Sequence, residues 1–88
     1  MPRVSYFFGI LIRMFHNDHL PPHFHAECGG DEAVYEIDTL KISRGGLSRR
    51  DHALVVEWAI LHRAELRANW DRARRGVPLN EIEPLNRV

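Results

Sequence analysis

The stretch HNDHLPPHFHAE, His16 to Glu27, holds four of the chain's six histidines, two acids and a Pro-Pro pair. Imidazole titrates near neutrality and ligates metals through either ring nitrogen, so such a cluster suits acid–base work or a metal site. RNA cleavage would use His19, His23 and His25. One imidazole takes the 2′-hydroxyl proton, another protonates the leaving oxygen, and Arg13 stabilises the phosphorane. A metal-dependent hydrolase would instead hold a divalent cation on His23, His25 and a cross-strand Glu36, with His19 as a further ligand and Glu27 or Glu36 as base. The plainer alternative is a set of half-exposed histidines paired with Glu32, Glu36 or loop carbonyls. Cys28 reads as an inert small hydrophobe.

These roles require strands. The β-branched and aromatic run from about Ile10 to His16 predicts one, with Ile10, Ile12, Met14 and His16 on the core-side row. Asn17 to Pro22 reads as a connection, because Asn-Asp starts turns and Pro-Pro breaks both helix and ladder. His23–Cys28 and Asp31–Asp38 flank Gly29-Gly30, a two-residue hairpin signal. If those glycines are the turn, Phe24 opposes Tyr35 and Ala26 opposes Ala33 on an apolar face. His23, His25 and Glu27 then oppose Glu36, Val34 and Glu32 on the other, and a slip of one residue would exchange the faces. Lys41 to Ser43 is a candidate fourth strand.

Ser48-x-x-Asp51 resembles a capping box, and the next glycine or proline is Gly76, where a C-terminal cap belongs. A helix over 48–75 follows, about 40 Å long at 1.5 Å per residue. Val55, Trp58, Ala59, His62, Leu66, Trp70 and Ala73 form its buried stripe. Such a helix either bends near 61–64 or overhangs the sheet. In the second case Arg67, Trp70 and Arg74 would meet a partner protein, nucleic acid or second copy of the chain. Residues 77–88, with Pro78, Ile82, Pro84 and Leu85, read as an extended tail.

Composition narrows the field. Eighty-eight residues make one domain, and no apolar run approaches a membrane span. The lone cysteine fits a reducing, cytoplasmic setting. Net charge is zero, but residues 1–43 carry about −3 and residues 44–88 about +3. Bulk charge therefore argues against sequence-independent nucleic-acid binding, leaving only the arginine-rich second half for it.

From about Arg3 to Leu85, GILIRMFHNDHLPPHFHAE with the following Gly-Gly, and EWAILHRAELRANWDRARRGVPLNEIEPL, resemble the small bacterial domain-of-unknown-function 4160 family. Members usually carry an aromatic where Cys28 stands. The resemblance implies a two-gene module of toxin–antitoxin type, hence a growth-inhibiting activity and a small cognate antitoxin-like partner. It highlights Asn17, Asp18, His19, Pro21, Pro22, His23, His25, Trp58, His62 and Trp70 without assigning their roles. The expected fold is α+β, an antiparallel sheet of three or four strands against one long C-terminal helix. The expected function is a toxin component cleaving RNA through its histidine cluster, the alternatives being a non-enzymatic binding module or a metal-dependent hydrolase.

Overall fold

Period-two alternation and the Gly-Gly turn set the centre of the fold. The computed structural model describes residues 3–86. Strands β3 (His23–Cys28) and β4 (Asp31–Glu36) pair antiparallel with Phe24 opposite Tyr35, Ala26 opposite Ala33 and His23 opposite Glu36, the register expected from the turn. Around them the sheet is larger than expected. It has five antiparallel strands in sequential order, adding β1 (Arg3–Phe7), β2 (Ile10–Arg13) and β5 (Ile42–Gly45). The extra strand, β1, arises because Phe8 (φ 49°) and Gly9 (φ 81°) make a tight two-residue turn. Positive φ at both central residues matches the strand twist, and an apolar Phe8 hides the signal in the sequence.

Strand β2 is shorter than expected, ending at Arg13. Met14 stays buried on the core-side row, but His16 is exposed and donates from Nε2 to the Val77 carbonyl at 3.1 Å. Strand β5 ends at Gly45 (φ 72°), where a Cβ would run into the Glu32 carbonyl, so only glycine fits this approach to β4.

One face of the sheet, with Ile10, Ile12, Phe24, Ala26, Ala33 and Tyr35 fully buried, joins the helices in a single apolar cluster. The helical segment is two helices rather than one. Ser48 caps α1 (Arg49–Leu61) by accepting from the Asp51 amide at 3.1 Å, as the capping motif predicts. His62 (φ −122°, ψ 21°) ends it, and α2 (Arg63–Arg74) begins directly after. The break has a packing cause. A straight helix of about 40 Å would outrun a molecule whose longest dimension is 34 Å. Bending at His62 keeps Leu66, Trp70 and Ala73 buried, and it lets Arg63 Nε donate to the Ile37 carbonyl at 3.1 Å.

The tail docks onto β1 and both helices. Ile82 N–H donates to Val4 O at 2.9 Å and Trp58 Nε1 to Glu83 O at 2.8 Å. Buried Asn69 clamps Asn80 through two 2.8 Å bonds, to its N–H and its carbonyl. No helix among the described residues is long and apolar enough to cross a membrane.

Candidate functional site

The second face of β3 carries His23 and His25, on the side away from Phe24 and Ala26. Both are buried all the same, at 4% and 8% exposure. The cover is the connection between β2 and β3, which folds back over the strand. Phe15 meets the His25 ring edge-on at 4.7 Å, and Trp70 from α2 packs against His23 at 5.1 Å between ring centres.

Buried imidazoles need partners for both nitrogens. His23 Nδ1 donates to the Pro21 carbonyl at 2.7 Å, and its Nε2 faces Asp18 Oδ2 at 2.8 Å. His25 Nδ1 lies 3.2 Å from Glu32 Oε2, and its Nε2 points at the same Asp18 oxygen from 3.4 Å. Two Nε2 atoms thus converge on one carboxylate. Burial works to raise Asp18. The His19 amide at 2.9 Å, the charge of His23 and hydrogen bonds from His25 and His23 outweigh it and hold the carboxyl below its usual range. Asp18 is therefore ionised at neutral pH.

The centre opens into a cavity of about 250 Å³ lined by His19, His23, His25, Val34, Ser43 and Arg44, among others. The ladder explains the lining. Arg13, His25, Val34 and Arg44 are register partners across β2, β3, β4 and β5, a single row on the polar face. The His19 side chain is 82% exposed, its ring 5.1 Å from His23.

The residues expected from sequence divide accordingly. His19, His23 and His25 come together. Arg13 shares the row, but its Nε lies 3.6 Å from Glu27 Oε2 and it does not line the cavity; Arg44 does. Glu36 is across from His23 as expected, yet the carboxylate that meets both rings is Asp18, while Glu36 accepts from Thr39 Oγ1 at 3.4 Å. Asp18 was legible as a turn former and as a residue the family resemblance highlights without a role, because its role depends on the loop folding back. Arg44 was missed because the expected fourth strand, Lys41–Ser43, stops short of it, whereas β5 runs Ile42–Gly45, and because a register shift between Val34 and Tyr35 separates β5 from simple counting.

On α2, Trp70 is buried at 4% rather than projecting from an overhanging helix, since the bend at His62 carries it under the β2–β3 connection. Arg67 is paired with Asp38, and Arg74 is exposed beside Asn17 and Asp18. His62 donates from Nδ1 to Glu65 at 2.5 Å with its ring on Trp58, a structural role at the helix junction. Hydrogen bonding to Asp51 and burial push the Cys28 thiol up, against a thiolate nucleophile.

The chain belongs to the family described as a domain of unknown function, DUF4160, whose model matches residues 9–71. That span contains Asp18, His23, His25, Glu32 and Arg44. No curated protein and no solved structure matches the chain.

Proposed function

We propose, for a member of a family without an assigned activity, that the protein is an RNA-cleaving toxin component of a bacterial two-gene module, restrained by a small protein partner. The observation that carries this reading is the convergence of two buried imidazoles, both lining a cavity, on an ionised Asp18. The cavity is smaller than a typical drug-sized pocket of roughly 300–1,000 Å³, and it suits a phosphodiester with one adjoining sugar. Arg44 offers a permanent cation to the phosphate, and guanidinium matches phosphate oxygens in a fork. His19, 82% exposed and with its Nδ1 on the Leu20 carbonyl at 3.2 Å, is the group suited to take the 2′-hydroxyl proton. The 2′-oxygen then bonds to phosphorus, the bond to the 5′-oxygen breaks, and that oxygen leaves with the proton of a water held at the His23–His25–Asp18 centre, which His19 afterwards replaces with the one it took from the 2′-hydroxyl.

The membership in a two-gene module rests on the sequence resemblance alone. Induced expression of the chain without its partner should slow bacterial growth and leave RNA fragments ending in cyclic phosphate. A His23→Ala, His25→Ala double variant should abolish both effects while its circular dichroism stays native. Undisturbed growth and intact RNA, at a level where folded protein accumulates, would refute the proposal. Growth inhibition that survived the double change but disappeared with Arg67→Ala and Arg74→Ala would favour binding through α2.

A further inference from the structure

We infer that Asp18 Oδ2 and the Nε2 atoms of His23 and His25 form a mononuclear site for a divalent transition-metal ion, beside the cavity that the two histidines line. The inference deepens the RNA-cleavage reading, and rests on it for what the bound ion does but not for its binding.

The hydrogen-bond directions come first. The Pro21 carbonyl and the Glu32 carboxylate can only accept, so each Nδ1 near them carries a hydrogen. A neutral ring then presents its Nε2 lone pair to Asp18 Oδ2. Lone pairs opposed at 2.8 and 3.4 Å require positive charge between them. Two protons would supply it only as two imidazolium ions with ring centres 5.3 Å apart, their side chains 4% and 11% exposed. One dication supplies it with both rings neutral, and Asp18 with Glu32 balances its charge.

The spacing fits as well. Ligand atoms about 2.1 Å from a metal, at angles of about 90–110°, lie about 3.0–3.4 Å apart. The 3.4 Å separation lies at the edge of that range and the 2.8 Å one just below it, and the three ligand atoms all lie within 4.8 Å of one another. The surroundings then fit a metal centre: a carbonyl and a carboxylate orient the far nitrogens, and Phe15 and Trp70 hold the rings from the side. Two imidazoles and one carboxylate suit zinc, iron or cobalt. Magnesium and calcium prefer oxygen ligands throughout.

In the cleavage reaction a water on the ion would protonate the leaving 5′-oxygen. The resulting hydroxide would recover its proton from His19, which had taken it from the 2′-hydroxyl.

Titration of tag-free, chelator-stripped protein with Zn²⁺ and Co²⁺, by calorimetry and by cobalt visible absorption, tests the site. One equivalent should bind with micromolar or tighter affinity. Asp18→Asn should weaken binding at least 100-fold, Glu32→Gln about 10-fold, and His16→Gln should leave it unchanged. His25→Gln, with folding checked by circular dichroism, serves if substitutions at His23 disturb the Trp70 contact. Less than about a tenth of an equivalent on folded protein, or affinity unchanged by Asp18→Asn, would overturn the site. RNA cleavage that continued undiminished in excess chelator would overturn the ion's part in the reaction. Stoichiometric binding without any RNA cleavage would uphold the site and refute the RNA-cleavage reading instead.

Discussion

Strand β3 is buried on both faces, by opposite means. Phe24 and Ala26 face the apolar side, where Phe24 stacks on Tyr35 at 5.3 Å and meets Trp58 edge-on at 6.0 Å. One residue away, His23 and His25 are buried by a returning loop, and their ring nitrogens are met by oxygens of Pro21, Glu32 and Asp18. Apolar burial is non-directional and tolerates changes of shape if volume is kept. Polar burial is stable only when each nitrogen and oxygen has its partner in line. The first face therefore holds the protein together, and the second holds a set of groups in place before any ligand arrives.

The largest expected effect tests the first half of that contrast. Phe24→Ala should cost about 3–5 kcal/mol in urea unfolding, because it empties a site bounded by Tyr35 and Trp58. His25→Ala should cost RNA cleavage at least 100-fold, about 2.7 kcal/mol in the barrier, while stability falls by only about 1–2 kcal/mol. If His25→Ala destabilised the fold as much as Phe24→Ala, the division between the faces would collapse.

A pH test addresses Tyr35, a titrating group on the apolar face. Burial, followed by the charge of Asp51, pushes the Tyr35 phenol up to about 12, and its oxygen shares a 2.8 Å hydrogen bond with His52 Nδ1. Below the unfolded value near pH 10 both states keep the proton, so Tyr35 gives no slope. Between about pH 10 and 12 the unfolded chain loses the proton first, so stability should fall by roughly 2 kcal/mol as pH rises. Tyr35→Phe should flatten that segment of the stability curve, and an unchanged slope would contradict the assignment. The smallest effect belongs to the exposed Arg67–Asp38 pair, where Arg67→Ala should alter stability by less than about 1 kcal/mol.

Much of the apolar face was legible in the residues. Gly29-Gly30 and the alternation around it fix the β3–β4 register, and helical spacing picked out Val55, Trp58, Leu66 and Trp70, all buried. The polar face was only half legible. His23 and His25 follow from the same alternation, but an expected Glu36 gave way to Asp18, and Arg13 to Arg44 as the cavity's arginine.

Local pattern and turn chemistry determined which residues share a face, because a strand's two-residue period and a glycine turn act over neighbouring residues. Tertiary structure decided which carboxylate meets the histidines, where the helix breaks and which arginine lines the cavity. Those outcomes depend on a loop folding back onto β3, on a molecule shorter than one straight helix, and on a shifted β4–β5 register. Each is set by contacts between segments whose separation no local period encodes.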